Sequence, residues 1–190
     1  MTPSVLAGAD HQPTALEIEN RALARRVAAE SFVLLENDGV LPLREKTVAL
    51  YGSGARMTVK GGTGSGAVRE RYSVSIADGL ENAGFVLSTK NWLDRFDRFY
   101  TDAYEAYRRD VEEKVRGVTD FFQVLSLGGK FTHPTGIPVQ EEDYAPDAAS
   151  GVDTAIYVLA RQAGEGDDRK DEPGDYRLDE VELENLRTVR

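Results

Sequence analysis

Glu165 is the residue whose type and setting best suit chemistry. It sits between Gly164 and Gly166, directly after the apolar run Ala155 to Ala160. Such a run predicts a parallel strand buried on both faces. The segment after such a strand is where open α/β sheets place their ligands. The flanking glycines let the backbone turn sharply and approach a ligand closely. A carboxyl group held there can donate a proton if its surroundings raise its pKa. The plain alternative is a solvated acidic residue in a loop.

Other candidates are weaker by their spacing. Asp167, Asp168, Asp171, Glu172 and Asp175 offer oxygen ligands to a divalent cation, but lack the glycine and glutamate spacing of an EF-hand. The expected metal is therefore none. The chain has no cysteine, which excludes thiolate sites and disulfides. Its two histidines, His11 and His133, lie in polar, proline-flanked stretches and read as surface residues. Two glycine clusters stand out. Gly52-Ser53-Gly54 follows a strand, but the sixth position of a dinucleotide fingerprint is Met57. Lys60-Gly61-Gly62-Thr63-Gly64-Ser65-Gly66 is not closed by the Gly-Lys-Ser/Thr of a P-loop. A backbone nest for phosphate and an ordinary surface turn both remain open for these loops.

The elements that must position these residues follow a βα alternation. Thr14 and Glu17 form a capping-box pattern that opens a helix running to about Asn37. Thr47–Tyr51 is a strand. Ser75 to Ala83 is a helix with Gly84 at its C-terminus. Phe85–Ser88 is a second strand. Asn91 to about Val115 is a long helix whose Trp92, Phe96, Phe99, Tyr100, Tyr104 and Tyr107 recur at helical spacing and read as packing. Residues 117–150 read as an irregular inserted excursion. The strand at 154–160 follows, and Asp179 with Glu182 caps a last helix. The fold class is α/β: a layered sandwich with a mostly parallel sheet covered by helices. Residues 1–13 read as an irregular lead and 14–190 as the sandwich, incomplete at its C-terminus because few strands precede Arg190.

The bulk numbers narrow the partners. With 190 residues and 41% hydrophobic content the chain can build one core. A net charge of −10 argues against nonspecific binding to nucleic acid or anionic membranes. No run is apolar enough to span a bilayer, and Met1-Thr2-Pro3-Ser4 does not open a secretion signal. A soluble cytoplasmic protein is expected.

Several segments together resemble glycoside hydrolase family 3. Ala24-Arg25-Arg26-Val27-Ala28-Ala29-Glu30-Ser31-Phe32-Val33-Leu34-Leu35-Glu36-Asn37, followed by Gly39-Val40-Leu41-Pro42-Leu43, is similar to the opening of that family's second domain. Val48-Ala49-Leu50-Tyr51-Gly52 follows at the expected interval. Residues 60–66 resemble the family's sugar-facing loop. Gly164-Glu165-Gly166-x-Asp168-Arg169, with Gly174-Asp175-Tyr176-x-Leu178 after it, resembles its acid/base loop. Residues 95–130 have no counterpart in this comparison.

The resemblance implies a β-glucosidase-like hydrolase of terminal non-reducing β-D-glycosyl residues. It implies Glu165 as acid/base, Ser65 and Gly64 at the sugar, and Lys60, Asp168 and Arg169 as loop support. No cofactor is implied. The nucleophilic carboxylate would come from a barrel domain, with the two carboxyl groups about 5–5.5 Å apart for a retaining mechanism. This chain holds no such barrel. The expected partners are a β-glucoside or oligosaccharide and the barrel of the same enzyme, or a completing chain; the chain alone would be inactive. A sandwich-first domain order is the expected arrangement. The rival reading is a Rossmann-like or flavodoxin-like module that binds a phosphate-containing ligand with its glycine loop. It would need an anion-binding helix start directly after the first strand.

Overall fold

Thr47–Tyr51 (β1) is the centre of the sheet. Its Val48, Ala49, Leu50 and Tyr51 are buried almost completely. A computed structural model describes residues 12–58, 60–61, 72–128, 145–147, 151–161 and 168–190. Among these, β1 pairs in parallel with Val86–Leu87 (β2) on one side and Ala155–Tyr157 (β3) on the other. The order is β2-β1-β3, with Val48 opposite Leu87 and Leu50 opposite Ile156. The helices are Ala15–Glu30 (α1), Ile76–Asn82 (α2), Lys90–Val115 (α3), Phe121–Gly128 (α4) and Glu180–Thr188 (α5). None of them is long and apolar enough to cross a membrane.

The expected parallel α/β arrangement is what the sheet shows, with one correction. The 155–160 run is not buried on both faces. Ala155 is exposed, Ile156 and Tyr157 are half-buried, and the strand ends at Tyr157. Among the described residues β3 pairs on one side only, and β1 takes the doubly covered place because it lies between two neighbours.

The chain divides into two compact units, residues 1–44 and 45–190. In the first, α1 opens with the expected capping box. Thr14 Oγ1 accepts from the Glu17 amide at 3.2 Å, and the Thr14 amide donates to Glu17 Oε2 at 2.7 Å. The helix stops at Glu30, earlier than expected, and a turn built on Asn37 follows. Asn37 Oδ1 accepts from the amides of Gly39 and Leu41, and Asn37 Nδ2 donates to the Leu41 carbonyl.

In the second unit, local signals and long-range packing agree. The Schellman motif ends α2: the Phe85 amide donates to the Leu80 carbonyl and the Gly84 amide to that of Glu81, with Gly84 at φ +83°. Thr89 precedes α3 but does not cap it. Its buried hydroxyl donates to the Leu50 carbonyl and accepts from the Leu50 amide, both at 2.8 Å, pinning the helix start to the middle of β1. The aromatic stripe of α3 is packing, as its spacing predicted. Trp92 meets Tyr51 edge-on at 5.1 Å and stacks on Phe96 at 5.4 Å, and Phe96 continues to Tyr100. Trp92 Nε1 and the Tyr51 hydroxyl donate to the carbonyls of Ala145 and Asp147, which ties the returning segment to the core.

Residues 121–128 differ from the irregular excursion expected there. They form α4, with the Asp120 carboxylate accepting from the Gln123 amide at 2.7 Å, and α4 packs on α3. Asp120 is a helix-start signal of the ordinary kind, masked in the sequence by the glycines and prolines that follow.

The start of α2 yields a stability prediction. The Ser75 amide donates to the Asp78 carboxylate at 2.9 Å and the Ser75 hydroxyl at 2.7 Å, and both hold the Asp78 pKa below the ordinary carboxylate value. A depressed folded pKa contributes stability that is present above the unfolded value and lost as pH falls through the folded one. Ser75→Ala should cost about 1 kcal/mol at neutral pH. It should make the acid limb of the stability profile below about pH 4 shallower only in part, because the Ser75 amide keeps its bond to Asp78. Urea melts from pH 2 to 7 check both, and an unchanged acid limb in Asp78→Asn, which removes the titrating carboxylate, would remove Asp78 from the account.

Candidate active site

The three strands run parallel, so their C-terminal ends share one edge of the sheet, and the two candidate loops leave from that edge. Past the strand ends, residues 52–54 lie against residues 158–160. The Gly54 amide donates to the Val158 carbonyl at 3.4 Å, and the Val158 amide donates to the Tyr51 carbonyl at 2.9 Å. Gly52 sits at φ +95°, and a Cβ there would lie 2.3 Å from the Val158 carbonyl oxygen. At Gly54 a Cβ would lie 2.6 Å from a Val158 methyl carbon. These glycines therefore serve the close approach of two strand ends.

That finding bears on the phosphate-binding alternative. A nucleotide site at this edge needs free amides at the next helix start. At α2 those amides are already engaged. The Ile76 amide donates to Thr58 Oγ1 at 3.1 Å, the Ala77 amide to the Ala55 carbonyl at 2.9 Å, and the Asp78 amide to Ser75 Oγ at 3.1 Å. The Asp78 carboxylate stands beside them. The helix start is closed by the protein's own groups and carries its own negative charge.

Glu165, Ser65 and Gly64 lie outside the described residues; the supporting residues do not. Lys60 Nζ donates to Ser73 Oγ at 2.5 Å, joining the two stems of the second glycine loop. Asp168 is exposed. Arg169 is half-buried, and its Nε pairs with Asp175 Oδ1 at 2.7 Å. Asp171 faces Arg177 through two contacts of 2.6 Å, so both carboxylates answer arginines.

One residue of this region escaped the sequence reading. Arg161, the last described residue before 162–167, donates Nε to the Asp175 carbonyl at 2.7 Å and Nη2 to the Glu182 carboxylate at 2.5 Å. Glu182 is also the capping partner of Asp179 at the start of α5. Nothing in the local sequence marks Arg161, because its partners are far along the chain. Tyr157, at the end of β3, accepts from the buried Asn185 at 3.0 Å. Burial raises its phenol pKa and keeps it neutral, although the Asn185 contact works the other way. The loop after β3 thus has its stem fastened to α5.

A parallel sheet with helices, and loop stems gathered at the strands' C-terminal edge, define an α/β sandwich domain. The chain belongs to glycoside hydrolase family 3: the profile of the glycosyl hydrolase family 3 C-terminal domain matches residues 32–189. It is 33% identical to beta-glucosidase A of Butyrivibrio fibrisolvens over 171 residues, which is 89% of this chain and 18% of that protein. A beta-glucosidase of Ruminococcus albus is also 33% identical, over 88% of this chain and 16% of its own length. Among solved structures, beta-glucosidase 3B from Thermotoga neapolitana in complex with alpha-D-glucose superimposes with a TM-score of 0.59 at 29% identity. That match covers 90% of this chain and 22% of the other. The chain spans about a fifth of the length of the relatives it matches.

Proposed function

We propose that this chain supplies the acid/base carboxylate, Glu165, of a retaining β-glucosidase-like hydrolase acting on terminal non-reducing β-D-glycosyl residues. The observation that carries the reading is the family match over residues 32–189, which runs through Gly164-Glu165-Gly166 and Asp168-Arg169. The fastened stem at Arg161, Arg169 and Asp175 supports it, since a proton donor works only when held in place. A nucleophilic carboxylate on a barrel domain outside this chain attacks the anomeric carbon. Glu165 gives its proton to the departing oxygen, then takes one from the water that releases the sugar. Ser65 and Gly64 face the glycone. Lys60, Asp168 and Arg169 hold the loops. The beta-glucosidase relatives support a β-glucoside or related oligosaccharide as substrate, and their greater length leaves room for the completing barrel domain of the proposal.

The division of labour is directly testable. The purified 190-residue chain should not hydrolyse an aryl β-glucoside above the buffer rate. A protein joining it to its barrel should. Turnover by the isolated chain would place the nucleophile within it and overturn the two-domain reading.

A further inference from the structure

We propose that Asp175 is a positioning residue for the acid/base carboxylate, acting through Arg161 and Arg169; this rests on the reading of Glu165 above. Arg161 and Arg169 each stand four residues from Glu165, one on either side. Both meet at Asp175. Its backbone carbonyl accepts Arg161 Nε at 2.7 Å and Arg169 Nη2 at 2.8 Å. Its carboxylate accepts Arg169 Nε at 2.7 Å through Oδ1 and the Lys170 amide at 2.8 Å through Oδ2. One residue therefore holds the chain on both sides of residues 162–167.

Asp175 is itself held. Gly174 turns at φ +80° and its amide donates to the Arg177 carbonyl at 2.9 Å. The amides of Asp175 and Arg177 donate to the Glu172 carbonyl at 3.2 and 3.1 Å, and the Tyr176 amide to that of Lys170 at 3.1 Å. Arg177 and Asp171 brace the turn in a bidentate pair, and Arg161 reaches on to Glu182 of α5. The side chains of Arg169 and Asp175 are only 28% and 25% exposed, so solvent screens this pair less than a fully exposed one. Tying both ends of a short loop restricts the positions its middle can reach. A proton donor displaced by about 1 Å can lose roughly a hundredfold in rate.

Two measurements test this, and they fail independently. Trypsin cleaves after arginine, so Arg161 and Arg169 report their own release. In the 190-residue chain, Asp175→Ala removes the carboxylate bonds to Arg169 and the Lys170 amide and should speed cleavage after Arg169 by about tenfold, while cleavage after Arg161, which holds the backbone carbonyl and Glu182, should change less. Cleavage after Arg108, within α3, should not change. Unchanged cleavage after Arg169 overturns the clamp. In the complete enzyme, Asp175→Ala should lower kcat by roughly 10–100-fold for substrates with poor leaving groups. KM and the glycosylation step with very good leaving groups should stay near the native values, and Asp175→Asn should recover part of the loss. A merely structural role would slow all substrates alike. If poor leaving groups are unaffected while Glu165→Gln abolishes their turnover, Asp175 is not a positioning residue although Glu165 is the acid/base. If Glu165→Gln itself does nothing, the catalytic half of the proposal falls, and the clamp is judged by proteolysis alone. Should Asp175→Ala fail to fold, as judged by Trp92 fluorescence, Asp175→Asn decides both measurements.

Discussion

In the complete enzyme, Glu165→Gln should slow the hydrolysis of substrates with poor leaving groups by about 10²–10⁴-fold. The substitution keeps the shape of the side chain and removes its proton. Poor leaving groups depart only when their oxygen is protonated in the transition state, so they feel the full loss. Very good leaving groups need no proton, and their first step should proceed at close to the native rate. The glycosyl-enzyme intermediate then accumulates, because no base activates the incoming water. A burst of released aglycone followed by a slow steady state is the expected trace. Azide attacks without a general base, so adding it should restore turnover and release a glycosyl azide of retained configuration. Equal slowing of good and poor leaving groups, with no rescue by azide, would assign the acid/base role to another residue.

Gly52→Ala should destabilise the chain by about 3–5 kcal/mol. Two penalties combine at this position. The backbone turns at φ +95°, where a side chain is strained, and the new Cβ would lie 2.3 Å from the Val158 carbonyl oxygen. Relief would require β1 and the segment after β3 to separate. That would disturb the Val158 amide bond to Tyr51 and the edge from which both candidate loops depart. Gly79→Ala is the matched control. Gly79 lies within α2, and a Cβ there meets nothing within 4 Å. That change should stabilise the helix by roughly 0.5–1 kcal/mol. Urea denaturation of the two variants beside the parent chain gives both values. A loss below about 1 kcal/mol for Gly52→Ala would mean the two segments can part easily.

The features legible in the sequence are those whose partners lie a few residues away. Thr14 with Glu17 and Asp179 with Glu182 close reciprocal hydrogen bonds across a single turn, and both capping boxes are present as expected. Gly84 ends α2, because only the local backbone geometry has to suit it. The apolar runs at 47–51, 85–88 and 155–160 located the strands, and the βα alternation required them to be parallel. The motif around Glu165 was legible as a chemical arrangement and as a family resemblance, and the match to the family 3 C-terminal domain supports the second.

What only the tertiary structure decided depends on partners distant in the chain. Periodicity says that a strand is apolar, but not which neighbours flank it. Among the described residues the 155–160 run therefore pairs on one side only, and Thr47–Tyr51 takes the buried centre. The glycines after β1 read as a possible ligand loop until Val158, more than a hundred residues away, proved to be what their missing side chains admit. Arg161 follows β3 without any local signal, and its role emerges only when the chain folds back to bring Asp175 and Glu182 to its guanidinium. A side chain's nearest residues in sequence are set by covalent bonds, whereas its contacts across the sheet edge are set by the packing of elements that no local pattern encodes.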